Sequence, residues 1–372
     1  MSACKYSNIL VYALDRALGD TILSTSAIEI LKRKFPKAKI TLMVRKPYSD
    51  LFKTSPILDE VLALDYDHFR SSLSYIIKTA RFLRNRQFDL SLSLDHRDRA
   101  AILMFLAGIP TRVGAKQMYN GKGILSSFLF TRSITVPYSH DTHVTEFYQG
   151  LARNAFNMQA DALPFIGKSL PDQLEKALRL FEGIPPNQFL VGLCLCGRSS
   201  LKSWPNSFTA ELLTKLYKRY HLFFYVVGRQ EDLLFADELI NQVDFPIINL
   251  CGKTDLSELL AIIRISDLLI TVDTATMHIA ASADVPIVAL FGPYSPLKWH
   301  PVSDKAAVLW ASLPCSPCDA SGADCKGEGW CMKALTVTDV FNKTAQQLAT
   351  IKKLDPRRNS YSEYFSSQPI TG

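Results

Sequence analysis

Four short stretches combine residue types and spacings that could do chemistry on a phosphate ester or a diol. The longest is Leu268-Leu-Ile-Thr-Val-Asp-Thr-Ala-Thr-Met-His-Ile-Ala-Ala281, an apolar run that meets Asp273 and passes within a few residues into a helix of small side chains. A helix start of this kind offers unpaired backbone N–H groups and the positive end of the dipole, an anion site. Ala275 and Thr276 are small enough for a diphosphate to approach, and the Thr274 and Thr276 hydroxyls can add donors. His278, in the first turns, could donate to a phosphate or a hydroxyl. A plain cap by Asp273 or Thr274, with His278 as a satisfied core residue, fits the same spacing.

The second stretch is Gly197-Arg-Ser-Ser-Leu-Lys-Ser-Trp-Pro205, after an apolar run ending near Leu195. Hydroxyls at Ser199 and Ser200 and a cation at Lys202, with Arg198 beside them, suit a diphosphate leaving group whose developing charge must be stabilised. In the third, Gly228-Arg-Gln-Glu-Asp232, Glu231 sits at a strand end, where a carboxylate can bind a ribose diol or merely begin a helix. Cys251-Gly-Lys-Thr254 follows another strand and could flank a base. The fourth is Arg16-Ala-Leu-Gly-Asp-Thr21: Gly19 permits a tight turn, and Asp20 and Thr21 open a helix beginning near Ile22. Asp20 could deprotonate an acceptor hydroxyl as a general base, or it could cap the helix.

Two further patterns invite metal chemistry. Asp65-Tyr-Asp67 is a D-x-D pair, but its first member ends an apolar strand and the pair reads as a surface turn. Cys315, Cys318, Cys325 and Cys331 place four thiols in a short span that could hold zinc or iron, although the gaps are short for a zinc ribbon and a set of reduced, metal-free cysteines is favoured. Cys194, Cys196 and Cys251 read as small core residues.

The elements that must position these groups alternate between short apolar runs and helical stretches, which implies α/β architecture with parallel sheets. Strands are expected at 8–14, 39–44, 60–65 and 90–95, with helices at 25–34 and 73–85. After a polar connection at 161–171 and a helix at 172–182, the alternation restarts. Strands are expected at 189–195, 223–228, 247–250, 268–273 and 286–292, with helices at 208–217, 231–241, 257–265 and 277–283, and a last helix at 337–354. No internal repeat is visible.

The 372 residues are 48 % hydrophobic and 21 % charged, proportions of an ordinary two-domain globular chain. No apolar run is long enough to span a bilayer and the N-terminal stretch lacks a signal-peptide pattern, so a cytoplasmic protein with reduced thiols is expected. The net charge of +7 is unevenly shared: residues 1–165 hold 22 Lys and Arg against 14 Asp and Glu, the remainder 20 against 21. Basic residues gather at Lys32–Lys34, Lys37, Lys39, Arg45 and Lys46, and again at Arg81, Arg84, Arg86, Arg97 and Arg99. This first half suits a phosphorylated acceptor or an anionic membrane surface. No zinc finger, helix-turn-helix or aromatic–basic interleaving supports nucleic acid, and no G-x-G-x-x-G opens either half, which disfavours a dinucleotide oxidoreductase.

Taken together, ALGDTILSTSAIEILKRKFPKAKITLMV (17–44), LKSWP (201–205), the block at 250–296 and the cysteine run at 315–332 resemble glycosyltransferase family 9, the ADP-heptose:lipopolysaccharide heptosyltransferases. The resemblance covers nearly the whole chain, most specifically at 268–293. It implies an inverting, metal-independent transferase of the GT-B type: two Rossmann-like doubly wound domains facing a cleft, no required cofactor, an ADP-sugar donor and an anionic glycolipid acceptor, with peripheral contact at the inner-membrane surface. It implies an acceptor-binding domain at 1–168, a donor-binding domain at 169–336, and a C-terminal helix and tail at 337–372 packing back on the first domain. Carried over, Asp20 is the base and Lys202 acts on the leaving group. Gly19 and Thr21 lie on the acceptor side, Ser199 and Ser200 bind the diphosphate, Glu231 holds the ribose, and Asp273, Thr274, Ala275, Thr276 and Met277 form the donor cradle with His278 beside it. Three departures from the family bear on the sugars: Ser26 stands where Pro is usual, Asp15-Arg-Ala precedes Leu18-Gly-Asp, and Thr274-Ala-Thr replaces a commoner Ser/Thr-Gly-Pro.

Overall fold

The structure is a computed structural model that describes residues 6–14, 17–95, 98–117, 123, 125–139, 141–185, 188–318 and 320–354. The chain forms two compact units, Met1–Gln173 with Pro296–Val302 and Leu174–Ser295 with Ser303–Gly372.

The first unit is built on six parallel strands, β1 (Asn8–Ala13), β2 (Lys39–Arg45), β3 (Glu60–Leu64), β4 (Leu90–Ser93), β5 (Thr111–Ala115) and β6 (Arg132–Ile134), in the order β3-β2-β1-β4-β5-β6. Its helices are α1 (Leu18–Lys34), α2 (Tyr66–Ser71), α3 (Leu73–Asn85), α4 (Asp98–Leu106) and α5 (Val144–Phe156). The central strands are apolar on both faces because helices cover both. On one face Leu10, Tyr12 and Phe69 pack with Leu83, Leu103 and Met104 of α3 and α4; on the other, α1 packs against α5. Helix α1 is buried nearly all round. Its Ser24, Thr25 and Ser26 hydroxyls donate to the Thr21, Ile22 and Leu23 carbonyls, and the Thr25 hydroxyl accepts from Phe165 N, so no buried hydroxyl there lacks a partner. Ser26, where the family usually has Pro, is thus an ordinary helix-interior residue.

The second unit repeats the same arrangement. Strands β7 (Phe189–Cys194), β8 (Leu222–Val226), β9 (Ile247–Asn249), β10 (Leu268–Val272), β11 (Ile287–Phe291) and β12 (Ala306–Trp310) are parallel and ordered β12-β11-β10-β7-β8-β9. Counted within the unit, this is the first unit's order read from the other edge. Helices α6 (Pro171–Leu180), α7 (Asn206–Arg219), α8 (Leu233–Ile240), α9 (Leu256–Arg264) and α10 (Ala275–Ser282) alternate with the strands, followed by α11 (Pro296–Trp299), α12 (Trp330–Lys333) and α13 (Val337–Leu354).

Helix α13 packs within the second unit: its Val340, Leu348 and Ile351 join the core of the second sheet with Leu212, Leu213 and Leu216 of α7. Trp204, wholly buried, donates its indole N–H to the Leu335 carbonyl just before α13 at 3.1 Å and closes that end of the core. The apolar face of α13 is therefore covered by its own unit. The segment that does rejoin the first unit is Pro296–Val302. There the His300 ring lies tilted beside that of His143, the N-cap of α5, with centroids 4.3 Å apart, and the His300 carbonyl lies 2.9 Å from His143 Nε2. The tail after residue 354 lies outside the described residues, as do Asp15, Arg16 and Arg97.

Candidate active site

Both sheets reverse strand order between their first and fourth strands, β1/β4 and β7/β10. In such sheets ligands bind outside the carboxyl ends of the strands at that reversal. The predicted groups follow three of these four strands: Asp20 after β1, Gly197–Lys202 after β7 and Asp273 after β10.

In the second unit, sequence-distant groups converge. The Lys202 ammonium lies 2.6 Å from the Asp273 carboxylate and donates to the Asp273 carbonyl at 3.1 Å, with both side chains less than one-fifth exposed. The same ammonium sits 4.1 Å above the centre of the Tyr294 ring, in the loop after β11. Asp273 and the aromatic face hold the cation at the start of α10, where Thr274 is the N-cap but makes no capping hydrogen bond with its side chain. The Thr274 side chain thus leaves the N–H groups of Ala275 and Thr276 uncapped, while Met277 N donates to the Thr274 carbonyl at 3.2 Å, and Asp273 to Thr276 are all partly exposed. The Thr274 hydroxyl turns toward the sheet, 3.3 Å from Thr271 Oγ1 and 3.7 Å from Cys194 Sγ. Met277 and His278 are buried, His278 at 4 % exposure.

The loop before Lys202 turns back sharply on Gly197. A Cβ there would stand 2.4 Å from Lys202 Cβ, so only glycine allows this approach. Ser203 Oγ accepts from Gly197 N at 3.2 Å and fixes the turn. Ser199 precedes the single 3₁₀ turn Ser200–Lys202 without capping it, and Ser200 is exposed. After β8, the buried carboxylate is Asp232 rather than Glu231. Asp232 accepts from Arg229 N and both ends of its guanidinium, while the Glu231 side chain is 72 % exposed. Around these loops burial pushes the thiols of Cys196 to about 11 and Cys251 to about 12, and that of Cys194 up as well, against the pull of the Thr276, Thr274 and Thr271 hydroxyls. These cysteines are neutral near pH 7 and serve as packing. Tyr294, Ser203 and Asp232 were not singled out from sequence. The only signal for Tyr294 was its place in Gly292-Pro-Tyr-Ser-Pro296 directly after a strand.

In the first unit, Asp20 lies in the first turn of α1, which starts at Leu18, four residues earlier than expected, with Ala17 as an N-cap that makes no side-chain bond. Asp20 therefore belongs to the helix rather than capping it, and it is half-buried, as is Gly19. The Thr21 hydroxyl is buried and donates to the Ala17 carbonyl, a purely local task.

Asp65 caps α2 by accepting from His68 N at 3.0 Å. Cys331 joins the second core, the Cys325 thiol donates to the Gly322 carbonyl, and Cys315 and Cys318 are partly exposed. Backbone N–H groups, Gly329 foremost, pull the Cys325 thiol below its ordinary range. Among the described residues no group of three or more His, Cys, Asp or Glu is placed to hold a metal ion.

This geometry has relatives. Lipopolysaccharide heptosyltransferase 3 of Escherichia coli K12 is 26 % identical over 304 residues, 79 % of this chain and 85 % of that one. A glycosyl transferase family 9 structure from Veillonella parvula superposes with a TM-score of 0.81 at 22 % identity, covering 93 % and 98 % of the two chains. The E. coli ADP-heptose lps heptosyltransferase II does so at 0.77 and 22 %, covering 93 % and 99 %. The two sheets of like order are thus the GT-B fold of these transferases. The model of glycosyltransferase family 9 (heptosyltransferase) matches residues 76–327, well over half the chain and including β7, the Lys202 loop and α10, and this protein is a glycosyltransferase belonging to that family.

Proposed function

We propose that the protein transfers heptose from ADP-heptose, with inversion, to a hydroxyl of a lipopolysaccharide core or lipid A-type acceptor, in the cytoplasm. The observation that carries this reading is the Lys202 ammonium fixed by Asp273 and Tyr294 at the start of α10. A departing ADP gains negative charge as the glycosidic bond breaks. A preset cation and unpaired helix N–H groups stabilise that charge more in the transition state than in the bound donor, and only such a difference accelerates the chemical step. As the diphosphate competes with Asp273 for the ammonium, positive charge is supplied where a divalent cation would otherwise serve, so turnover persists in chelator. Asp20 takes the proton from the acceptor hydroxyl as its oxygen attacks the anomeric carbon, and ADP leaves in line on the opposite side. Ser199 and Ser200 contact the diphosphate, and Glu231 reaches the ribose from its exposed position.

The test is mass-spectrometric detection of product with a truncated core lipid and a panel of ADP- and UDP-sugars, on the parent protein and on Asp20→Asn. Heptose transfer with ADP-heptose is expected, with a loss of 10²-fold or more in kcat and little change in donor affinity for the variant, as is typical of general-base removal. Full activity in Asp20→Asn removes that residue from the base role. Transfer with a different sugar only corrects the donor, and ADP-heptose binding without ADP release would make the protein a binder rather than a catalyst.

A further inference from the structure

We propose that the first unit carries a docking face for an anionic lipid bilayer, formed by α3, α4 and the turn Leu125–Leu129. Half of the exposed large apolar side chains among the described residues lie there. Helix α3 turns Thr79, Ala80 and Leu83 into the core, yet Leu73, Ile77 and Phe82 stand in solvent, Leu73 at 79 %. Helix α4 buries Ala100, Ala101, Leu103 and Met104, yet exposes Ile102, Phe105 and Leu106, spaced i, i+3, i+4 on one face. In the turn packed on α4, Phe128 is 80 % exposed. The helices are tied together by Arg84 of α3, which donates to the Leu106 carbonyl of α4 at 2.7 Å.

The charge of the region names the occupant. Residues 70–132 hold eleven Lys and Arg against three Asp and Glu, a net of +8 that accounts for the entire excess of residues 1–165. Of the three acids, Asp89 accepts from Ser7 and Asn8, Asp95 is buried, and Asp98 opens α4. The other basic cluster is more locally neutralised, since Lys32 pairs with Asp59 and Arg33 with Glu29. Helix α3 itself has three cations, Lys78, Arg81 and Arg84, and no acid. Guanidinium groups also lie over two of the exposed rings: Arg112 is 5.6 Å from the Phe105 centroid and Arg86, which pairs with Glu60, is 5.0 Å from that of Phe82. Apolar side chains standing among cations match the boundary of an anionic leaflet, where rings and aliphatic chains enter the acyl edge and cations meet phosphates. A symmetric contact with a second copy would instead set this positive face against itself.

The proposal rests on the heptose reading only for its purpose, bringing the unit that takes a lipid-borne acceptor to the membrane. It is tested without donor or acceptor, so it stands or falls separately. In co-sedimentation at low salt, the full chain should partition onto phosphatidylcholine vesicles containing about one-third phosphatidylglycerol and not onto phosphatidylcholine alone, with binding falling as salt rises. Lys78→Ala and Arg81→Ala should each weaken partition about fivefold, and Phe105→Ser and Phe128→Ser about tenfold each, with far-UV circular dichroism and ADP binding unchanged. Absent binding, equal binding to both vesicle types, or variants that bind like the parent overturn the proposal. So does a dimer in analytical ultracentrifugation that Phe128→Ser dissolves while vesicle binding is unaltered, which would assign the face to a second copy.

Discussion

Lys202 is informative because its charge is already shared. An ammonium that bonds Asp273 in a partly enclosed site contributes little net attraction to a neutral ligand, but it needs no reorientation when a diphosphate arrives. The geometry depends on Gly197, on which the loop folds back toward the Lys202 stem. Gly197→Ala should therefore shift the loop and weaken ADP binding at least tenfold in titration calorimetry, while the unfolding midpoint changes little. Equal ADP affinity in that variant would show that the Lys202 loop tolerates displacement. Glu231 poses the opposite case. It stands largely exposed, 3.9 Å from the Arg229 guanidinium, while its neighbour Asp232 is buried and accepts from Arg229. Sequence alone could not choose between adjacent acids, because one residue of helical rotation decides which is buried.

At the scale of elements, α13 is held by its apolar face in the second core, with Leu348 wholly buried. Leu348→Ala should cost about 2–5 kcal/mol of stability in denaturant unfolding, whereas Lys343→Ala on the same helix should fall within about 0.5 kcal/mol. A small effect at Leu348 would mean that the helix is not integral to that core. The periodicity of 337–354 announced this helix but not its partner, because an amphipathic stripe says only that something apolar must cover it. Strands β1 to β4 and β7 to β11 were legible as apolar runs. Strands β5, β6 and β12 were not: Thr-Arg-Val-Gly-Ala and Arg-Ser-Ile carry charge or glycine, and β6 and β12 are edge strands. Helix α4 was missed because Ala-Ala-Ile-Leu-Met-Phe-Leu is apolar all round, with no polar face to mark its period, and that same excess leaves Phe105 in solvent. The cluster at the start of α10 was legible because strand, acid and small-residue helix start are contiguous in sequence, whereas Tyr294 and Ser203 join it only through folding.

At the scale of the whole molecule, each unit has its own core and the same strand order, though no repeat is visible in the residues. The apolar pattern of a doubly wound sheet can be met by many sequences, so shared architecture leaves no trace of identity. All the groups assigned to the diphosphate lie in the second unit, so ADP alone should slow hydrogen exchange at the ends of β7 and β10 and in the first turn of α10, leaving β1 and β4 at their free rates. Protection spread evenly over both sheets would contradict that division of labour. The heptapeptide Pro296–Val302 has a practical corollary. Because it leaves the second lobe to seat His300 beside His143 and then goes back, the backbone passes between lobes three times rather than once. Cutting at a single peptide bond near residue 173 would strip one half of a piece it needs and leave the other with a dangling insertion, so separating the halves calls for re-ordering the chain, not shortening it.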